Sequence, residues 1–78
     1  MWTEEHNSLY KEFEFKDFKS AVNFINRVAE LSEKINHHPH LWNNYKKVGI
    51  RLTTHDVGNQ ITGKDRRMAE KIDKIFTV

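Results

Sequence analysis

The histidines are the residues of this sequence that point most directly to chemistry. Four of the five, His37, His38, His40 and His55, lie in one stretch of the 78-residue chain. Imidazole is the side chain that gives and takes protons near neutral pH without a large pKa shift. Because the chain contains no cysteine, thiol nucleophiles, thiolate ligands and disulfides are excluded. The cluster therefore favours acid–base chemistry.

Two other interpretations compete with a catalytic role for these histidines. A lone histidine is usually a polar loop residue, and we keep that interpretation for His6 and His40. His38 and His40, or His37 and His40, are also spaced like zinc ligands, and His55 could add a third. That spacing is a weak signal without thiolates or a fixed pair on a helix. The sequence therefore predicts no metal site.

Three carboxylates are placed to support the imidazoles. Glu33 comes one helical turn before His37 and would favour its charged form, or it would simply face solvent. Asp56 follows the last histidine of the cluster and could orient that ring or lie in solvent. Asp65 is the third residue after Thr62, so it could bond back to the start of a helix, which is a structural task, or serve the site. Both roles stay open for each carboxylate.

The segments that must position these groups alternate between strand and helix patterns. Residues 2–15 predict two strands, residues 18–35 a helix, and residues 41–45 and 47–54 two further strands. A capping-box pattern at residues 62–65 predicts the start of a last helix. The order strand, strand, helix, strand, strand, helix predicts an α+β fold, in which a four-stranded antiparallel sheet carries two helices on one face.

The first helix, for which Asp17 offers an N-cap, has an unusually wide apolar face. Phe24, Leu31 and Ile35 widen that face to about half of the cylinder. A domain of this size builds only a marginal core, so association with a second copy would stabilise it. We expect these three residues to form an exposed edge that contacts another subunit, although an ordinary monomer core explains the wide face as well.

Length and charge limit the class of protein. The 78 residues predict a single domain over residues 1–78. No apolar stretch approaches the ~20 residues of a membrane span, and the polar N-terminus does not resemble a signal peptide, so we expect a cytoplasmic protein with no membrane partner. A net charge of +2 is too small to predict direct nucleic-acid binding. The basic residues near the C-terminus fit a solvated helix face: Lys64, Arg66, Arg67, Lys71 and Lys74.

One segment and three later residues together form a specific pattern. Residues 33–39 read Glu-Lys-Ile-Asn-His-His-Pro, with a charged residue four positions before a His-His-Pro triplet. An aromatic residue, a histidine at the end of the next strand and an aspartate opening the last helix follow in order, here Tyr45, His55 and Asp65. This pattern resembles the signature of the pterin-4a-carbinolamine dehydratases, and the likeness covers nearly the whole chain.

The resemblance implies a fold, a site and an assembly. It implies the α+β fold described above and a dimer formed by sheets that join edge to edge, often doubled to a tetramer, so we expect a homodimer or homotetramer. It makes His37, His38 and His55 the active-site histidines for a small pterin molecule, with Glu33 and Asp65 as supporting residues. It further implies substrate contacts from Pro39, Thr54, Asp56, Val57 and Trp2.

The activity implied by the resemblance is a hydro-lyase reaction of tetrahydrobiopterin-type cofactor recycling. A 4a-hydroxytetrahydropterin loses water to give a quinonoid dihydropterin. The ring nitrogen N5 supplies the electrons that expel the hydroxyl, so we expect no metal and no cofactor. His37 and His55 are the acid–base candidates, and His38 would contact the pterin near the reacting carbon. The alternative function is a dimerisation module of the transcription-cofactor type, which requires no catalysis.

Overall fold

Four strands and two helices make up the described part of the chain, residues 1–77 of a computed structural model. The strands are β1 (Thr3–Glu5), β2 (Ser8–Glu14), β3 (His40–Asn44) and β4 (Lys47–Leu52); the helices are α1 (Phe18–Ile35) and α2 (Gly63–Thr77). The strands form one antiparallel sheet in the order β1-β2-β4-β3. The predicted element order and the α+β class are confirmed.

The core lies between the inner face of the sheet and the two helices. Side chains alternate along a strand, so Leu9 and Phe13 of β2 face inward together with every second residue of β4. The buried apolar side chains form one cluster: Leu9, Phe13, Ala21, Phe24, Val28, Val48, Ile50, Leu52, Met68, Ala69 and Ile72. Both helices contribute side chains to this one core, so packing against the sheet fixes the positions of the helix ends relative to the strands.

The predicted exposed edge of α1 is wrong for Phe24. This ring is only 4% exposed, because it packs 4.9 Å from the ring of Phe13 and 5.0 Å from that of Phe15. Leu31 is partly buried against the same core, and Ile35 is 36% exposed. A monomer core therefore accounts for most of the wide apolar face.

The outer face of the sheet carries flat side chains. Trp42 on β3 lies over Gly49 of β4, where a Cβ atom would collide with the indole ring. The indole Nε1 donates a hydrogen bond of 3.1 Å to the hydroxyl of Tyr10, and the guanidinium of Arg51 stands 4.7 Å from the centre of the Tyr10 ring. Gly49 is thus required by the close approach of Trp42.

The ends of the two helices are defined by local capping interactions. Asp17 accepts a hydrogen bond from the Ser20 amide and caps α1, as predicted. At the other end Asn36 adopts a left-handed conformation with φ of 53°, and its amide bonds to the carbonyl of Ser32. The chain then turns away before Pro39 and enters β3. Within residues 1–77, neither helix is long and apolar enough to cross a membrane.

Candidate active site

A cleft of about 560 Å³ opens at the end of the molecule where α1 stops, β3 starts and α2 begins. Six of the residues predicted for the site line it: His37, His38, Pro39, Thr54, His55 and Asp56. Asn36, His40 and Lys64 complete the lining. The left-handed turn at Asn36 lets the adjacent pair His37 and His38 reach one cleft, because the chain there is not simply extended.

His37 is held by a buried carboxylate. Its Nε2 atom lies 2.6 Å from Oδ1 of Asp65, which is fully buried, while the imidazole is largely buried. An ionised carboxylate only accepts hydrogen bonds, so the proton of this contact belongs to Nε2. The other ring nitrogen, Nδ1, is then left for exchange with a ligand.

Asp65 combines the structural and the supporting role that the sequence left open. Its Oδ2 atom accepts hydrogen bonds from the Thr62 amide at 2.9 Å and from the Thr54 hydroxyl at 2.8 Å. Burial raises the pKa of the Asp65 carboxyl, but the hydrogen bonds from His37, Thr62 and Thr54 outweigh it and hold the pKa below its usual value. The carboxylate is thus a fixed anion behind His37.

Glu33 supports a different histidine from the one predicted. Its Oε2 atom lies 2.6 Å from Nε2 of His38, and both side chains are largely exposed. The expectation that Glu33 pairs with His37 is wrong, because α1 ends at Ile35 and the left-handed Asn36 swings His37 toward α2. His38 therefore carries an exposed carboxylate partner at the rim of the cleft.

His55 is oriented by an amide that the sequence analysis missed. The residue opens a short 3-10 turn, His55–Val57, and its Nδ1 atom lies 2.6 Å from Oδ1 of Asn59. Since an amide oxygen accepts, the proton lies on Nδ1 and the Nε2 atom is free to accept one. Gly58 and Asn59 both have positive φ, and this bend returns the amide to the ring.

Several residues predicted to contact the substrate lie outside the cleft or already bond to other residues of the chain. Trp2 does not line the cleft, since its Nε1 bonds to the carboxylate of Asp73 on α2. Val57 is 49% exposed and does not line it either. The backbone amide and carbonyl of Thr54 bond to Gln60. Asp56 points to solvent, with Lys64 at 3.9 Å.

The histidines do not converge on a metal-binding arrangement. Among residues 1–77, no group of three or more histidine, aspartate or glutamate side chains has the geometry to hold a metal ion. Each imidazole of the predicted set is instead directed to its own partner, Asp65, Glu33 or Asn59. The zinc interpretation of the histidine spacing therefore has no geometric support.

Comparison with protein families gives the cleft its context. The family model for pterin 4 alpha carbinolamine dehydratase matches residues 1–75. The chain belongs to this dehydratase family. Membership of the pterin-4a-carbinolamine dehydratases confirms the resemblance carried by the segment 33–39 and by Tyr45, His55 and Asp65.

Individual relatives agree with the family assignment. A Sulfurisphaera tokodaii protein, provisionally named for the same dehydratase, is 46% identical over 76 residues, which are 97% of this chain and 81% of that protein. The pterin-4-alpha-carbinolamine dehydratase of Drosophila melanogaster is 46% identical over 74 residues; the match covers 92% of this chain and 38% of that longer protein. The similarity thus spans nearly all of the chain.

Solved structures share the fold. A Brucella melitensis protein described as a transcriptional coactivator/pterin dehydratase superposes with a TM-score of 0.91 at 35% identity, covering 96% of this chain and 81% of that one. A pterin dehydratase-like protein identified as a RuBisCO assembly factor in the alpha-carboxysome gives a TM-score of 0.77 at 24% identity, covering 96% of this chain and 86% of that one, which supports the fold alone.

Proposed function

We propose that the cleft binds a 4a-hydroxytetrahydropterin and converts it to the quinonoid dihydropterin. The observation that carries the proposal is the set of three imidazoles, His37, His38 and His55, on one cleft, each with a ring nitrogen engaged by a separate partner. A cleft of about 560 Å³ lies within the range that small-molecule sites occupy. Family membership supports the same substrate class.

The reaction needs one proton donor and one proton acceptor. The bond between C4a and the hydroxyl oxygen breaks, and the oxygen takes a proton from an imidazolium and leaves as water. The N5 proton passes to a neutral imidazole, and the electron pair of that N–H bond forms the double bond between N5 and C4a. The two transfers balance, so the reaction consumes no net proton and requires no oxidant or reductant.

The hydrogen-bond partners suggest how the histidines divide these tasks. We assign proton donation to His37, because the buried anion Asp65 stabilises a positive imidazole beside it. We assign proton acceptance to His55, whose Nε2 is free while Asn59 holds Nδ1. His38 lies at the rim, where its ring contacts the pterin and Glu33 keeps it in place. The two proton transfers are thus assigned to His37, which contacts a carboxylate, and to His55, which contacts an amide oxygen.

A stopped-flow assay of carbinolamine dehydration tests the proposal. The wild-type chain should accelerate water loss from a freshly prepared 4a-hydroxytetrahydropterin by at least ~10²-fold over buffer, which is the low end for one acid–base group. The loss is followed by the absorbance of the quinonoid product. A rate equal to that in buffer, at protein concentrations that saturate with a stable dihydropterin, would refute the proposed activity.

We further propose that the chain forms a homodimer through its sheet edges, or a homotetramer that adds helix contacts. β1 and β3 are edge strands whose outer backbone groups have no partner within residues 1–77, and such edges favour pairing. On α1, Phe18 is 51% exposed, which is unusual for a phenylalanine on a protein surface. The sheet edges would thus form the dimer and α1 the second contact.

Replacing Phe18 with glutamate separates the two contacts. The side chain is exposed, and an acidic residue in the first turn of a helix is favourable, so folding should be unaffected. Sedimentation velocity should find the wild type at least dimeric at micromolar concentration. If helices join the dimers, Phe18→Glu should reduce a tetramer to a dimer. A wild type that stays monomeric at millimolar concentration would contradict the proposal.

A further inference from the structure

A groove of about 260 Å³ lies beside the cleft, between the end of α1 and the first two turns of α2. It shares His37 and Lys64 with the cleft. Ile35 of α1 forms an apolar wall, and Arg67 and Lys71 extend the groove along α2. Three cations therefore face one small space, and within residues 1–77 no carboxylate lines it.

The charged side chains of α2 are sorted by side. Lys64, Arg67 and Lys71 are spaced by three and four residues, so they form one row on successive turns of the helix. The acidic residues Glu70 and Asp73 lie on the side toward β1, where they line a different cavity. Like charges at these spacings repel one another, so the cationic row costs stability while nothing is bound to it.

The end of the helix makes this row still less favourable. The N-terminal end of a helix carries a partial positive charge, so cations there are destabilising. Lys64 stands in the first turn, and the guanidinium of Arg67 lies over Gly63, where a Cβ atom would come within 2.9 Å of its Nη1 atom. Asp65, the acidic residue of that turn, has both oxygens engaged by other groups. Positive charge is therefore concentrated where the fold gains least from it.

The chain itself does little to neutralise these cations. Lys64 approaches the carboxylate of Asp56 only to 3.9 Å, and both side chains are exposed. Neither Arg67 nor Lys71 forms an ion pair with a carboxylate of residues 1–77. Arg66 on the other side of the helix, by contrast, pairs with a carboxylate of β1 at 3.1 Å. A groove lined by charge of one sign concentrates ligands of the opposite sign.

The donors and the size of the groove indicate the class of anion. A guanidinium presents paired N–H groups that match two oxygens of a phosphate, while lysine binds phosphate as a point charge. The groove is smaller than the pockets that hold drug-sized ligands, so its ligand is small. Three cations over two helical turns match two linked phosphoryl groups better than a single carboxylate.

We propose that this groove binds a small phosphate-type anion, held by Lys64, Arg67 and Lys71, and prefers pyrophosphate to inorganic phosphate. The anion is a ligand separate from the one in the cleft, because it needs only side chains that line the groove. Since His37 lines both spaces, the bound charge would lie next to the imidazole of the cleft. The basic side of α2 thus has a role beyond solvation.

Calorimetric titration of the whole chain with pyrophosphate and with inorganic phosphate, at constant ionic strength, tests the site. Pyrophosphate should bind the wild type at one site and more tightly than phosphate. The double variant Arg67→Gln/Lys71→Gln should weaken pyrophosphate binding by at least about tenfold, because it removes two charge-assisted contacts. Lys74→Gln is the matched control, since it removes an exposed cation one turn further along α2, outside the groove. It should keep the wild-type Kd to within about twofold.

Three results would overturn the proposal. The first is a wild type that does not bind pyrophosphate at millimolar concentration. The second is equal affinity in the wild type and the double variant, which would place the anion outside the groove. The third is a single-stranded oligonucleotide that binds more tightly than pyrophosphate and loses affinity in Lys74→Gln, since the cations would then belong to a longer nucleic-acid surface. These titrations involve no turnover, so their outcome is independent of the proposed dehydratase activity.

Discussion

Replacing His37 or His55 with glutamine should slow carbinolamine dehydration by about 10²-fold or more, since each change removes a group that transfers a proton. Glutamine is neutral, cannot titrate and is close to histidine in size. It can still donate from its amide toward Asp65 or Asn59, so the cleft should keep its shape. Single-turnover stopped-flow at saturating protein measures the chemical step without contributions from product release.

The same experiment distinguishes the proposed proton carriers from a histidine that only contacts the ring. His38→Gln should raise KM more than it lowers the single-turnover rate, because His38 is exposed at the rim and, among residues 1–77, its side chain bonds to Glu33 alone. Asn26→Gln, on the exposed polar face of α1, serves as the surface control and should match the wild type. If the His37 and His55 variants both keep the wild-type rate with native circular dichroism, proton transfer by these rings is excluded.

Most of the fold could be predicted because its signals are local. Asp17 caps α1 by bonding to an amide three residues away, and Thr62 and Asp65 bond to each other across one turn of α2. The alternation of apolar residues in β4 predicts which face of the strand is buried, and this prediction does not depend on which strand pairs with it. Such contacts join residues that are close together in the sequence, so they can be predicted from the sequence alone.

The parts of the site that could not be predicted depend on where the chain changes direction. A helix that continued to residue 37 would have placed Glu33 beside His37, as i,i+4 spacing requires. The left-handed residue Asn36 ends α1 first, so the carboxylate meets His38 instead. Asn59 likewise reaches His55 only through two positive φ angles in the loop after β4. Spacing rules fail where a single residue reverses the chain.

The burial of Phe24 was missed for a different reason. A helical wheel shows which residues share a face, but it does not show what covers the edge of that face. The ring of Phe24 lies 6.0 Å from that of Phe76, which arrives from the far end of α2. This contact joins two residues that are 52 positions apart in the sequence. Association with a second copy therefore has to be argued from the sheet edges and Phe18 instead.

Changing Asp65 to asparagine should affect both stability and activity, because one buried carboxylate serves the fold and His37. Its Oδ2 atom faces two donors, the Thr62 amide and the Thr54 hydroxyl, while Oδ1 faces His37. An asparagine has only one oxygen, so its NH2 group faces either the two donors at the Oδ2 position or Nε2 of His37, which can accept it only if the ring proton moves to Nδ1. Either arrangement loses the charge-assisted hydrogen bonds of the buried carboxylate, which should cost about 1–3 kcal/mol of unfolding free energy at pH 7.

The pH dependence of this loss has a defined sign. In the folded chain the pKa of Asp65 lies below its ordinary value of 3.8, even though burial alone would raise it. A carboxyl whose pKa is lowered by folding stabilises the folded state fully above the unfolded pKa, and this contribution disappears as the pH falls through the folded pKa. The stability difference between wild type and Asp65→Asn should therefore be largest above pH ~4 and shrink below it.

Urea unfolding of both proteins between pH 2 and 7 measures that difference, with Asp17→Asn as the matched control. Asp17 also caps a helix, and hydrogen bonds from Ser20 lower its pKa, but it is exposed and far from the cleft. Asparagine is an equally good N-cap, so Asp17→Asn should lose only the small pH-dependent contribution of an exposed carboxylate and keep full activity. Asp65→Asn should also slow dehydration, since His37 loses the anion that stabilises its positive form. A stability gap that stays constant down to pH 2 would show that the carboxylate charge does not act on the fold, and an Asp65→Asn rate equal to that of Asp17→Asn would show that it does not act on His37.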